Sequence, residues 1–174
     1  MASDIREQLI NYIEDAHALE QHVAKTLDHF ISEADAPELL EPLKHHREET
    51  DRHLALLEGR LQAYGKSPSK VKDAGMALAA LGKALTDKVR RDNAGKLARD
   101  GFVAEHLEIA AYEMLERVAA RAGDQETADV ARRNKADEEA MAAKIASLWD
   151  LAVDLSLKAE GLTGAPPIPP PIQA

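Results

Sequence analysis

The sequence predicts an all-α protein built around a bundle of four long helices. The composition favours this class, because 45% of the 174 residues are apolar but only 3% are aromatic. Apolar residues recur at the three- and four-residue spacing of amphipathic helices, and no alternating β pattern is present. We expect one helical domain over residues 1–160, followed by a proline-rich extended tail over residues 161–174.

Composition and charge exclude several functions. The chain has no cysteine, which excludes disulfides, thiolate metal sites and cysteine nucleophiles. Its formal net charge of -9 argues against general nucleic-acid binding. The N-terminal residues lack the basic-then-apolar order of a signal peptide, and no uncharged apolar run reaches membrane-spanning length. We therefore expect a cytoplasmic protein that binds neither nucleic acid nor membranes.

The first two helices are expected to form an antiparallel hairpin. The first runs from about Ser3 to Ser32, with apolar residues at helical spacing throughout. The sequence Asp35-Ala36-Pro37 ends this helix, and Pro37 is well placed in the first turn of the second helix. The second helix is expected to end near Gly65, where glycine can adopt a left-handed cap.

The last two helices form a second predicted hairpin. The third helix begins after a weak region at residues 93–95 and ends at Gly123. Asp124 can cap the fourth helix, which is expected to continue through Trp149 to about Lys158. The short connection between these helices predicts that they are antiparallel neighbours.

A long connection separates the two hairpins. Residues 66–95 are too many for a simple turn, and Ser67-Pro68 opens a further helical stretch through Leu85. Two helical hairpins joined by a long crossover have the topology of ferritin-like bundles. We therefore predict a ferritin-like four-helix bundle with an additional helix in the connection between its second and third helices.

Each of the four helices places at least one acid in or beside its apolar stripe. Such acids are costly to bury unless something pairs with them, and a metal ion is one such partner. Glu105, Glu108 and Tyr112 fall within about 60° of one another on the third helix. The other helices offer further inward-facing candidates, which are Glu20 on the first, His46, Glu49 and His53 on the second, and Glu138 on the fourth.

This set of donors suits a dinuclear carboxylate site. Such bundles use one glutamate from each of two helices, and a glutamate with a histidine from each of the other two. Here only the second helix turns histidine inward, and Glu108 and Met141 stand where the third and fourth helices would carry one. An oxygen-rich site favours iron or manganese over zinc or copper. We therefore predict two metal ions, iron first and manganese as the alternative.

Taken one by one, these residues have simpler interpretations. Glu105 and His53 could each be solvated at the edge of a stripe. His46 could be a core histidine bonded to a backbone carbonyl, and Tyr112 could merely pack. Glu139 lies about 100° from Glu138 and is expected to face solvent. The coincidence of inward-facing acids on four helices favours the metal interpretation.

The order of these motifs resembles the YciE/YciF group of bacterial ferritin-like stress proteins. The likeness spans about residues 8–155 and is carried by Leu19-Glu20-Gln21, His46-Arg47-Glu48-Glu49-Thr50, Glu105-His106-Leu107-Glu108-Ile109-Ala110-Ala111-Tyr112 and Glu138-Glu139. It implies a ferritin-like bundle, commonly dimeric, that holds a dinuclear metal centre and takes part in stress responses. Carried over by position, the family's ligands match Glu20, His46, Glu49, Glu105, Glu108 and Glu138. His53 stands where we expect glutamine, and could add a ligand.

The leading hypothesis is that this metal centre oxidises Fe(II) or reduces oxygen or peroxide. Tyr112 would then act beyond the ligands, as a hydrogen-bond donor or radical trap. The alternative is a non-catalytic stress protein whose metal site is structural or vestigial. The proline-rich tail could bind a partner protein, although a disordered terminus is the simpler interpretation.

Overall fold

The computed structural model describes residues 4–67 and 93–162. These residues form five helices and no strand, namely α1 (Ile5–Glu33), α2 (Pro37–Ala63), α3 (Asn93–Ala122), α4 (Gln125–Ala146) and α5 (Trp149–Ala159). Helix α1 packs against α2 and α3, and α4 packs against α3 and α2. The order around the bundle is therefore α1, α2, α4, α3, and the predicted all-α bundle is confirmed.

Two predicted segments lie outside the described residues. The additional helix falls on residues 68–92, and most of the proline-rich tail falls on residues 163–174. Among the helices that the structure describes, none combines the length and the low polarity needed to cross a lipid bilayer.

Capping residues set the ends of the helices. The Asp4 side chain accepts a hydrogen bond from the backbone N–H of Arg6 and caps α1, while Pro37 is the first residue of α2. Gly65 and Gly123 have φ values of 69° and 75°, which are left-handed conformations that glycine adopts without a steric cost. The turns predicted at these two glycines are therefore confirmed.

The predicted fourth helix is too long, because the structure divides it in two. Helix α4 ends at Ala146, and a two-residue turn precedes α5. Helix α5 then packs on the first turns of α3, where Ala152 is 1% exposed. The backbone N–H of Gly95 donates to Ser156 Oγ over 2.8 Å. Apolar residues keep their helical spacing through the turn, so the sequence pattern does not reveal it.

A polar network closes the end of the bundle at the connection between α3 and α4. Asp124 caps α4 by accepting from the backbone N–H of Thr127 over 3.0 Å. It also accepts from Arg60 Nη2 over 3.1 Å and from the Tyr64 hydroxyl over 2.6 Å, so it ties α2 to α4. Burial raises the pKa of Asp124, but the hydrogen bonds from Thr127, Tyr64 and Arg60 outweigh burial and lower this pKa to about 2.

We expect Asp124→Ala to lower the free energy of unfolding by about 2–4 kcal/mol at pH 7. The change removes a helix cap and takes one carboxylate from the largely buried Arg60. Because folding lowers the pKa of Asp124 from 3.8, its stabilising effect is complete above pH 3.8 and is lost as the pH falls towards 2. The difference between wild type and variant should therefore narrow over that range in urea unfolding. Asp129→Ala removes an exposed carboxylate of α4 and should change stability little, so equal losses in both variants would contradict the prediction.

Candidate metal centre

A cluster of acids and histidines lies inside the bundle. All four bundle helices contribute to it, and each of its members is no more than 2% exposed: Glu20 from α1, His46 and His53 from α2, Glu105 and Glu108 from α3, and Glu138 from α4. Buried apolar clusters flank it, one containing Ile13, Leu57 and Leu115 and another containing Met141 and Ile145. Apolar packing on either side thus holds the helices together around a polar layer.

The first donor group is formed by His46, Glu105, Glu108 and Glu138. Each offers one ligand atom, and these atoms all lie within 4.8 Å of one another. His46 Nε2 is 3.1 Å from Glu105 Oε2 and 3.2 Å from Glu138 Oε2. Neither contact has the geometry of a hydrogen bond, because the oxygens lie off the direction in which an N–H would point. A metal ion can bind such donors, which converge without bonding to one another.

The second donor group is formed by Glu20, His53 and Glu138. His53 Nδ1 lies 3.1 Å from Glu20 Oε1 and 3.0 Å from Glu138 Oε1. Glu138 thus belongs to both groups, with its Oε2 towards His46 and its Oε1 towards His53. A carboxylate in this position can bridge two metal ions.

The unpaired oxygens of the cluster fit cation binding. Both carboxylate oxygens of Glu108 and of Glu138 accept no hydrogen bond, and neither do Oε2 of Glu20 and Oε2 of Glu105. Buried oxygens without partners are costly, and native proteins rarely keep them unpaired. The four carboxylates carry four negative charges when ionised, which two divalent cations would neutralise while both histidines stay neutral. The residues present therefore fit two divalent cations.

Without a cation, the cluster must balance its charge with protons. Burial raises the pKa values of Glu20 and Glu105, and it raises that of Glu108 well above its ordinary value. Burial lowers the pKa of His46, but the neighbouring carboxylates outweigh it and raise this pKa. The pKa of His53 is raised in the same way. Metal binding would displace these protons, since ligands bind as carboxylate and as neutral imidazole.

The structure places Glu49, a predicted ligand, outside both donor groups. Its Oε2 lies 3.1 Å from His46 Nδ1, on the ring nitrogen that faces away from the cluster, and its Oε1 lies 3.2 Å from His45 Nε2. The physical reason is angular, because a residue three positions after His46 is turned by about 60° around the helix, here towards the surface. Glu49 is thus positioned to hold the proton on Nδ1, which leaves Nε2 of His46 free to bind a metal.

His53 has the same place in the second donor group that His46 has in the first. Its Nε2 lies 3.1 Å from Asp137 Oδ2, while its Nδ1 faces Glu20 and Glu138. His46 and His53 are seven residues apart, which is about two helical turns, so α2 presents one imidazole to each group. The supporting carboxylates of these two histidines are Glu49 and Asp137. Asp137 was not predicted. It is partly exposed, and its position on α4 does not distinguish it in the sequence from an acid on the surface.

A hydrogen-bonded chain supports Glu20. The Tyr112 hydroxyl donates to Glu20 Oε1 and accepts from Asn134 Nδ2 over 3.0 Å. Asn134 is fully buried and was not predicted. A signal was available, because Asn134 precedes Glu138 by four residues and therefore lies in the same apolar stripe of α4.

A four-helix bundle that buries carboxylates and histidines between its helices has the architecture of the ferritin-like proteins. The chain belongs to the DUF892 family, whose model is described as a domain of unknown function and matches residues 4–158. The predicted relationship to YciE/YciF-type proteins is confirmed, because that family model and the structure of YciF both match.

Solved structures of similar proteins agree with this assignment. A protein of Xanthomonas campestris pv. campestris is 28% identical, with a TM-score of 0.76 over 92% of this chain and 100% of that one. The Escherichia coli stress protein YciF is 20% identical, with a TM-score of 0.70 over 91% and 99% of the two chains. A bacterioferritin of Desulfovibrio desulfuricans, whose structure shows a diiron site in different catalytic states, is 19% identical, with a TM-score of 0.71 over 95% and 94%. The predicted ferritin-like fold is therefore confirmed.

Proposed function

We propose that this protein binds two metal ions, iron first and manganese as the alternative, and reacts with oxygen or peroxide. The observation that carries the proposal is the double membership of Glu138, which joins two buried donor groups into one site. The diiron site of the similar bacterioferritin supports iron. Carboxylate and imidazole donors without thiolates suit iron or manganese. The resemblance to the stress protein YciF supports a role of this activity in a stress response.

The residues would have distinct tasks in this site. Iron ions, when bound, would supply the electrons for reducing oxygen or peroxide. His46, Glu105 and Glu108 would hold one position, Glu20 and His53 the other, and Glu138 both. The buried carboxylates would stabilise positive charge on the metal ions and so favour the higher oxidation state of the metal. The Tyr112 hydroxyl keeps a proton directed at Glu20 Oε1 and orients that carboxylate.

Metal analysis tests this proposal directly. We expect protein purified without chelator to carry transition metal, and metal-free protein to take up two Fe(II) or Mn(II) ions per chain. Anomalous scattering across the iron and manganese edges would identify the ion and its ligands. Oxygen or peroxide consumption by the Fe(II)-loaded protein would then measure activity. Absence of bound metal together with no uptake of either ion would refute the proposal.

A second candidate function is a non-catalytic stress protein. One observation favours it, which is that His46 and His53 each lie within 3.2 Å of two buried acids. These contacts lower the pKa of Glu138 to about 2, although burial raises it. Protonated histidines could therefore balance part of the charge of the acids, and the bundle could fold without metal. Stable metal binding without any consumption of oxygen or peroxide would favour this candidate.

We also propose that the protein is a homodimer. Val103, Leu107 and Met114 are 46%, 40% and 46% exposed, and their spacing places them on one face of α3. Covering this apolar face would favour association of two copies. We expect Leu107→Glu to weaken the dimer at least about tenfold in sedimentation equilibrium, which corresponds to about 1.4 kcal/mol. Val153→Glu places the same charge on an exposed residue of α5 as a control, and equal effects of both variants would contradict this interface.

A further inference from the structure

An apolar pocket leads from the surface of the bundle to the metal-binding cluster. It has a volume of about 40 Å³. Its outer wall includes the partly exposed residues Leu39, Leu97 and Leu148, whereas its inner wall includes the buried residues Val23 and Met141. All four bundle helices therefore contribute to a passage between solvent and core.

Glu105 lines this pocket, and among the residues that the structure describes it is the only ionisable one in the lining. Its carboxylate belongs to the first donor group, with Oε2 3.1 Å from His46 Nε2. A molecule in the pocket therefore touches a side chain of the proposed metal site. The cluster itself is buried, so a reactant must pass between the helices to reach it.

The lining decides which molecules can use this route. Besides Glu105, Thr26 is the only polar side chain that the described part of the chain contributes to the lining, and its hydroxyl already donates to the carbonyl oxygen of His22. Hydrated cations and anions lose too much solvation to enter such a lining. Hydrogen peroxide would also give up its hydrogen bonds to water with few replacements. Dioxygen is neutral and apolar, so it gives up no hydrogen bonds to water when it enters the pocket.

The size of the pocket also bears on which molecules can enter it. Apolar cavities stay dry and take up small apolar molecules such as xenon. A volume of about 40 Å³ accommodates a small diatomic molecule. We infer that this pocket admits dioxygen, in preference to hydrogen peroxide, to the Glu105 side of the cluster. This inference rests on the proposed function and names its oxidant.

Xenon binding gives a test that needs no metal. Crystals of the wild-type protein pressurised with xenon should show an anomalous peak in the pocket, between Val23 and Met141. Ala98→Leu places a larger side chain in the pocket lining and should remove the peak. Ala110→Leu makes the same change at an exposed position of α3 and should keep the peak. A wild-type crystal without xenon in the pocket would overturn the inference.

Oxidation kinetics test the preference for dioxygen. In Ala98→Leu we expect Fe(II) oxidation by dioxygen to slow at least about tenfold, with unchanged oxidation by hydrogen peroxide and an unchanged number of bound ions. Equal slowing with both oxidants, or none with dioxygen, would overturn the inference.

A second variant makes a smaller change than Ala98→Leu. The xenon experiment and the metal analysis can also fail independently of each other. Should Ala98→Leu not fold, Gly101→Ala adds one methyl group 3.3 Å from Ile145 Cδ1 in the same pocket and should act in the same direction. If the wild-type protein bound no metal, the proposed function would fail. The xenon peak would still report on the pocket.

Discussion

Glu138→Gln is expected to reduce the metal content from two ions per chain to one at most, and to abolish oxidation of Fe(II). The amide keeps the size of the side chain but removes the negative charge that both donor groups share. Charge-neutral amides are weaker ligands for divalent cations than carboxylates, so the bridge between the two positions should be lost. Metal analysis after dialysis and calorimetric titration with Mn(II) would measure the change.

The neighbouring residue provides a matched control for this variant. Glu139 is exposed, whereas Glu138 is fully buried, so Glu139→Gln makes the same chemical change outside the cluster. We expect Glu139→Gln to bind two ions with unchanged affinity. Retention of two tightly bound ions in Glu138→Gln would contradict the role of Glu138 as the shared ligand.

Glu108→Met is expected to stabilise the metal-free protein by about 1–3 kcal/mol while weakening the stabilisation that metal provides. Glu108 is 1% exposed and neither of its oxygens has a hydrogen-bond partner. Methionine has a similar length and no such oxygens, so it removes a buried group whose hydrogen bonds are not satisfied. In the wild type, Fe(II) or Mn(II) at 100 times the dissociation constant should add about 2.7 kcal/mol to the free energy of unfolding for each ion bound.

Urea unfolding with chelator, and again with Mn(II), measures both parts of this expectation. Glu48→Met changes an exposed glutamate of α2 to the same residue and should leave the response to metal intact. A metal-free Glu108→Met protein that is less stable than the wild type would contradict the prediction. It would show that the carboxylate stabilises the fold without metal.

The sequence was most informative about the direction in which a side chain points around its own helix. Glu20 and Glu138 lie in the middle of their apolar stripes, and the structure buries both side chains almost completely. Glu139 lies about 100° from Glu138 and is exposed. The period of 3.6 residues is a property of one helix and needs no knowledge of its neighbours, which is why these predictions succeed.

The second helix shows what helical periodicity alone cannot predict. His46, Glu49 and His53 all lie on one side of α2, and the sequence favoured Glu49 over His53 as a ligand. The structure brings His53 to the second donor group and leaves Glu49 on the outer nitrogen of His46. Glu49 is turned by about 60° from His46 and by about 40° from His53, and the rotation of α2 against its neighbours decides which of these side chains face the cluster.

The sequence by itself determined the helical class, the two hairpins, the glycine caps at Gly65 and Gly123, and the acids that face inward. Only the tertiary structure decided the break between α4 and α5, the two overlapping donor groups with Glu138 in common, and the roles of Asn134 and Asp137. The physical reason is that local spacing sets the direction of a side chain around its own helix. Distances of about 3 Å between atoms of different helices depend instead on the rotation and axial register of those helices, and close packing of the whole core sets both.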